Sequence, residues 1–291
     1  MMLCCLAALF YSTKSTAQVK DDDFNILFAF EVHTIDDFFE RFNFKDNTAF
    51  QNYVSKNYPG NNLTRSQLIH NLFNSKNLAV KKDEINSFLT SVTDTAFPEF
   101  VNYRDTDWYA ELHCKVLYRN KPKKLTLILK VEQSPQKFFR WSVVSAKADF
   151  LRINQTKDSL NYLQQPPYIK PDSTFSKKYF LSPVSHALDF MDVDNVFLKK
   201  SHVDDYIYNG PQSPALQKLI DQIKNSEIDF VEVISVKYHL LKIHSWIIVV
   251  EYFLRNEKNS GWLINKLFPA TREQKEKYLI TALNLPAMPT Y

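Results

Sequence analysis

Glu232 stands out among the residues of this chain that could carry chemistry. Read at strand spacing, it falls between Phe230 and Ile234, on a face that also holds Ile228, Val236, Tyr238 and Leu240. A carboxylate on an apolar sheet face is costly unless it is paired or protonated. In an enclosed pocket its raised pKa would suit a general base or a ligand anchor. A strand edge or a bulge would instead let it reach water or a lysine. Tyr238 and Trp262 complete the candidate binding set. Glu111, His113 and Lys115 alternate along another strand, which sets a carboxylate beside an imidazole but is also what a solvated sheet face shows. His239 and His244 flank a turn with no third ligand at a defined spacing, so no metal site is expected. His186 could fix a junction between two parts of the chain through a side-chain hydrogen bond. Cys114 falls on the buried face of its strand, where a structural thiol is the default, and no Ser-His-Asp set can be ordered.

The glycine count removes whole classes of chemistry. The chain of 291 residues has 3 glycines, Gly60, Gly210 and Gly261, all isolated. Phosphate-cradling loops, dinucleotide turns and nucleophile elbows each need clustered glycines, so no nucleotide cofactor, and no other, is expected. A net charge of +4 without a dominant basic run argues against nucleic acid as a partner. With 23 Phe, 15 Tyr and 4 Trp the chain can bury a substantial core. Trp108 and Trp141 fall in the apolar phase of their strands and are expected in it.

The elements that must position these residues repeat. Ile85, Phe88, Leu89 and Val92 follow helical spacing, and so do Leu216, Leu219, Ile220 and Ile223, opened by Ser213-Pro214 as N-cap and first residue. Three strands follow each helix, over 108–118, 125–132 and 138–146, then over 228–240, 246–254 and 262–268. Tyr118, Val131-Glu132 and Trp141 recur as Tyr238, Val250-Glu251 and Trp262, about 120 residues on. An earlier helix precedes each set. The first opens with the capping box Thr34-Ile35-Asp36-Asp37, and the second opens at Ser182-Pro183 with Val184, Ala187, Leu188 and Met191 on one face. A last helix starts at Thr271 and docks through Tyr278, Leu279, Ala282 and Leu283.

The expected fold class is α+β. It comprises two tandem repeats, each of helices followed by a curved antiparallel sheet of three to four strands, as in NTF2-like or cystatin-like domains. Leu3 to Tyr11 with Ser15-Thr16-Ala17 reads as an export signal over 1–17. The first repeat then spans 18–150, a Pro- and Gln-bearing linker 151–180, and the second repeat with the C-terminal helix 181–291. No segment of the mature chain is long and apolar enough to span a membrane.

Phe39-Glu40-Arg41-Phe42-Asn43, Trp108-Tyr109-Ala110-Glu111, Leu127 to Glu132, Ser182-Pro183-Val184-Ser185-His186 and Asn259-Ser260-Gly261-Trp262-Leu263-Ile264 resemble an uncharacterised family of exported proteins from Bacteroidetes. The resemblance covers most of the mature chain. It implies the periplasm or outer surface of a Gram-negative cell and no particular activity. The expectation is a non-enzymatic protein that binds a protein partner or a small apolar ligand. The alternative is an NTF2-like enzyme of isomerase or hydrolase type with Glu232 as its base.

Overall fold

In the computed structural model, described for residues 30–45, 48–57, 59–60, 63–77, 79–134, 137–152 and 178–286, the local signals become elements close to their expected limits. The leader read at 1–17 and most of the linker read at 151–180 lie outside these residues. Helix α1 (Ile35–Asn43) starts on Thr34, whose side chain accepts from Asp37 N–H while the Asp37 carboxylate accepts from Thr34 N–H. Helices α2 (Ala49–Asn57), α3 (Arg65–Asn71) and α4 (Lys82–Val92) follow. The stripe on α4 buries Phe88, Leu89 and Val92. Strands β1 (Trp108–Tyr118), β2 (Lys121–Gln133) and β3 (Phe139–Lys147) form a meander. Its first turn is the pair Arg119-Asn120, both at positive φ, which matches the right-handed twist of a tight hairpin.

After the connection come helix α5 (Asp194–Leu198) and helix α6 (Pro214–Lys224), the latter capped by Ser213 accepting from Leu216 N–H. A second meander follows, β4 (Ile228–Leu240), β5 (Trp246–Phe253) and β6 (Gly261–Pro269), and then α7 (Arg272–Thr281). The helix expected at Ser182-Pro183 is corrected. A short 3-10 turn, Ser185–Leu188, stands there, and Val184, Leu188 and Met191 are exposed while Ser185 and His186 are buried. The tighter turn changes which side chains share a face. Ser185 Oγ is also tied down, donating to the Asp192 carboxylate at 2.6 Å.

The six strands form one open antiparallel sheet of order β3-β2-β1-β4-β5-β6, which places the fold in the α+β class. The two meanders meet edge to edge through β1 and β4, from Trp108↔Leu240 to Tyr118↔Ile228. One face buries the main core. Trp108, Ala110, Leu112, Cys114 and Val116 of β1 lie there with Trp141, Tyr238, Trp246 and Trp262, under α1, α4 and α6. The other face holds a smaller apolar patch of Tyr109, Ile128, Val144 and Ile247. The chain from Tyr278 to Leu285 closes over it, with Leu283 fully buried. The C-terminal helix therefore spans the join between the two meanders.

The segment before α1 is fastened to β6 by a close backbone approach. Val32 N–H donates to Ser260 C=O at 3.1 Å, and Trp262 N–H donates to Val32 C=O at 2.9 Å. Gly261 sits between them at φ +92°, a conformation that residues with a Cβ rarely adopt.

Candidate functional site

Strands β4 and β5 pair over part of their length and then diverge. Lys237, Tyr238, His239 and Leu240 face Glu251, Val250, Val249 and Ile248. Upstream of Lys237, the stretch from Ile228 to Val236 has ladder partners on the β1 side alone among the described residues. The end of β5 is held away from it. Tyr252 donates its phenolic O–H to Glu31 Oε1 at 3.1 Å and rests edge-on against Trp262.

Two register shifts in the β1–β4 ladder leave Val231 and Ile234 opposite no β1 residue. Each is a bulge, and each moves the alternation of β4 by one residue. Phe230, Val233 and Val236 thereby stay on the core side. Val231 and Ile234 are pushed outward, and Glu232 aligns with Lys115. The reading that placed Glu232 and Ile234 on the apolar face is therefore corrected. The Glu232 side chain is 57% exposed and pairs with Lys115 Nζ at 3.6 Å. The enclosure that would make it a general base is absent at this position.

The gap is an open groove of about 920 Å³. Its long wall is the consecutive run Phe230 to Lys237. Glu251, Tyr252 and Trp262 form the opposite side, and Met191, Asp194 and Leu198 stand on the rim with Asp189 and His33. Val231, Ile234, Tyr252, Met191 and Leu198 are all exposed there, with Met191 at 75%. Of the three residues read as binding candidates, Glu232 and Trp262 both line this groove. Tyr238 does not. It is wholly buried, with its ring 5.0 Å from that of Trp262, and donates its O–H to His186 C=O at 3.2 Å. Burial, then the charges of Asp189 and Asp36, hold its phenol well above the ordinary value, so it is a neutral support beneath Trp262.

Charge in the groove is predominantly negative. Glu251 is matched by Lys237 Nζ at 3.4 Å and accepts from Asn265 Nδ2 at 2.8 Å. Glu232 is matched by Lys115. Asp189 and Asp194 have no cationic partner among the described residues.

A second constellation lies on the sheet face turned away from the main core, where Glu111 joins both imidazoles near it. His239 Nε2 lies 3.1 Å from Glu111 Oε2 and His113 Nε2 lies 2.9 Å from Glu111 Oε1. Since an ionised carboxylate only accepts, both rings donate through Nε2. His239 Nδ1 lies 2.8 Å from the Tyr278 phenolic oxygen, and His113 Nδ1 lies 3.3 Å from Thr126 Oγ1. Burial pushes the Glu111 carboxyl up. The hydrogen bond from His239, with the charges of His239, His113 and Lys237, outweighs burial and leaves it below its ordinary value. Burial, then Glu111 and Glu251, raise the Tyr278 phenol, which keeps it a donor. Tyr278 covers this network from α7, so it ties the helix to the sheet. Lys115 and His244, read beside these residues in the sequence, take no part: Lys115 faces Glu232, and His244 N–H donates to Glu99.

His186 does bridge distant parts of the chain, through Nε2 to Asp36 Oδ1 at 3.2 Å. Its ring packs against those of Trp108 and Tyr103. Among the described residues no three His, Cys, Asp or Glu side chains are arranged to hold a metal ion, and no helix is long and apolar enough to cross a membrane. Val231, Ile234, Asp189, Met191 and Asp194 were not expected at a site. The one signal for the first two was the pair of adjacent apolar residues on each side of Glu232, Phe230-Val231 and Val233-Ile234, which breaks strict alternation. Compared with protein-family models, curated proteins and solved structures, the chain matches none.

Proposed function

We propose that this protein is a non-enzymatic binding protein of an exported, envelope setting, and that the groove between β4 and β5 takes its protein partner or small apolar ligand. One observation carries the reading: Val231, Ile234, Tyr252, Met191 and Leu198, all exposed, converge on one concave site rather than scattering over the surface. Exposed apolar groups that share a concavity gain by being covered, at about 25 cal/mol per Å² of apolar area removed from water. The export setting rests on the leader pattern and family resemblance of the sequence. The body is a duplicated NTF2-like unit in this reading. Support comes from two meanders that follow helices in the same order and carry Trp141 and Trp262 into one core.

Titration with N-phenyl-1-naphthylamine, a neutral apolar dye whose emission rises out of water, tests the site. Saturable binding is expected, and Ile234→Asp and Met191→Asp should each weaken it at least fivefold without shifting the thermal midpoint. Binding that never saturates, or that neither substitution weakens, would remove the groove as the ligand site.

A further inference from the structure

The walls of the groove select among its possible occupants, an inference that rests on the binding reading just given. We propose that the groove takes an extended peptide segment of alternating basic and apolar residues, which adds to the free side of β4 as a short strand. The first ground is the backbone. A strand interior directs its N–H and C=O groups alternately to two neighbours. From Asp229 to Val236, β4 has ladder partners on the β1 side alone among the described residues. That is eight residues, or about 26 Å of edge at ~3.3 Å per residue. An exposed edge of this kind is a template for an added strand, whereas a compact apolar molecule would leave its donors and acceptors unmatched. The bulges at Val231 and Ile234 keep the added ladder in short runs, so side-chain contacts set the selectivity.

The second ground is charge. The groove is lined by Asp189, Asp194, Glu232 and Glu251 against Lys237. With Glu232 and Glu251 matched by Lys115 and Lys237, Asp189 and Asp194 are left to meet a cation brought by the guest. This sign is opposite to that of the whole chain, which is +4, so the acidity belongs to the groove and not to the background. Phosphate-bearing partners are disfavoured for the same reason. The third ground is the exposed apolar side chains that line the groove among these charges. Val231, Ile234, Tyr252 and Leu198 would receive the apolar residues of an extended guest.

The test uses the full chain and labelled nine-residue peptides followed by fluorescence anisotropy at low salt. One alternates Lys and Val, one alternates Glu and Val, and two further Lys–Val peptides carry N-methyl groups on one or the other edge. The Lys–Val peptide is expected to bind at least tenfold more tightly than the Glu–Val peptide. N-methylation of one edge should weaken it at least tenfold and of the other edge hardly at all. The double variant Asp189→Asn, Asp194→Asn should lose at least fivefold in affinity for the Lys–Val peptide and not for the Glu–Val peptide; Asn also tolerates the left-handed backbone of Asp189. Equal binding of the two signs, or indifference to N-methylation, would overturn the inference. So would slow hydrogen exchange, without peptide, at those amides of Asp229–Val236 that point away from β1, because the edge would then already be taken by the chain itself or by a second copy. Dye binding without peptide binding would sink this inference and leave the binding reading standing, and loss of both would sink both.

Discussion

Replacing Gly261 by alanine should destabilise the fold by about 3–5 kcal/mol, and Gly60→Ala provides the matched control. Both glycines have nearly the same backbone, φ +92° at Gly261 and φ +90° at Gly60. Either substitution therefore carries the conformational cost of a Cβ in this region, about 1–2 kcal/mol. They differ in space. Around Gly60 a Cβ would meet nothing, whereas at Gly261 it would lie 2.6 Å and 2.7 Å from the carbonyl carbon and nitrogen of Val32, with the Val32 oxygen nearer still. Backbone cannot rotate out of the way as a side chain can, so Val32 must retreat. Its two backbone hydrogen bonds, to Ser260 and from Trp262, then weaken. At about 0.5–1.5 kcal/mol each, with some loss of packing around the buried Val32, they supply the difference from Gly60→Ala. Urea unfolding followed by tryptophan fluorescence measures both variants, with the slope expected to stay constant. Dye affinity should also fall in Gly261→Ala, since Trp262 and His33 flank the groove. If the two alanine variants unfold within about 1 kcal/mol of each other, the close approach of Val32 is not what requires glycine.

Three other outcomes are expected. Burial pushes the Cys114 thiol up to about 12, so at pH 8 about one molecule in ten thousand carries a thiolate. Labelling by a disulfide reagent should then follow the rate of unfolding, and rapid labelling of the native chain would contradict this. Glu111 has a folded pKa below its ordinary 4.5, so its contribution is complete above that value and is lost as pH falls through the lower, folded one. Glu111→Gln should flatten the decline of the urea midpoint on acidification below about pH 5, and parallel declines would refute the assignment. Arg140 is fully buried against Glu132, which also accepts from Ser142 Oγ at 2.7 Å. Arg140→Met should cost about 3–5 kcal/mol by stranding the carboxylate, and adding Glu132→Leu should recover part of that loss in thermal denaturation. A single variant as stable as the parent would refute this.

Features governed by short-range chemistry were legible in the sequence. The Thr34 capping box, the Ser213-Pro214 helix start and the alternation from Trp108 to Val116 each depend on residues within a turn or two. The site was harder to read because it depends on interruptions of those rules. The bulge at Ile234 turns Glu232 away from the core and the bulge at Val231 returns Phe230 to it, and a bulge is fixed by the partner strand rather than by local composition. The segment after Ser182 satisfies helical spacing, but Ser185 bonds to Asp192 and forms a 3-10 turn. Trp262 could be picked out as a landmark. That it would meet Glu232 across a groove depended on β4 lying apart from β5 upstream of Lys237, which no run of residues announces. The Glu111 network likewise needed β1, β4 and α7 to converge.

The ladder between β1 and β4 also sets a timetable for synthesis. From Trp108↔Leu240 to Tyr118↔Ile228 it joins residues more than a hundred positions apart, so it is among the last contacts that a growing chain can make. Until β4 has emerged, the first meander carries an unpaired β1 edge and an unfinished core. Both are surfaces on which unfinished chains associate. The second meander supplies what stops this: β4 closes the edge, and the chain beyond it from Tyr278 to Leu285 seals the reverse face across the join. A ribosome that stalled between the meanders would release a half that ends at its stickiest boundary.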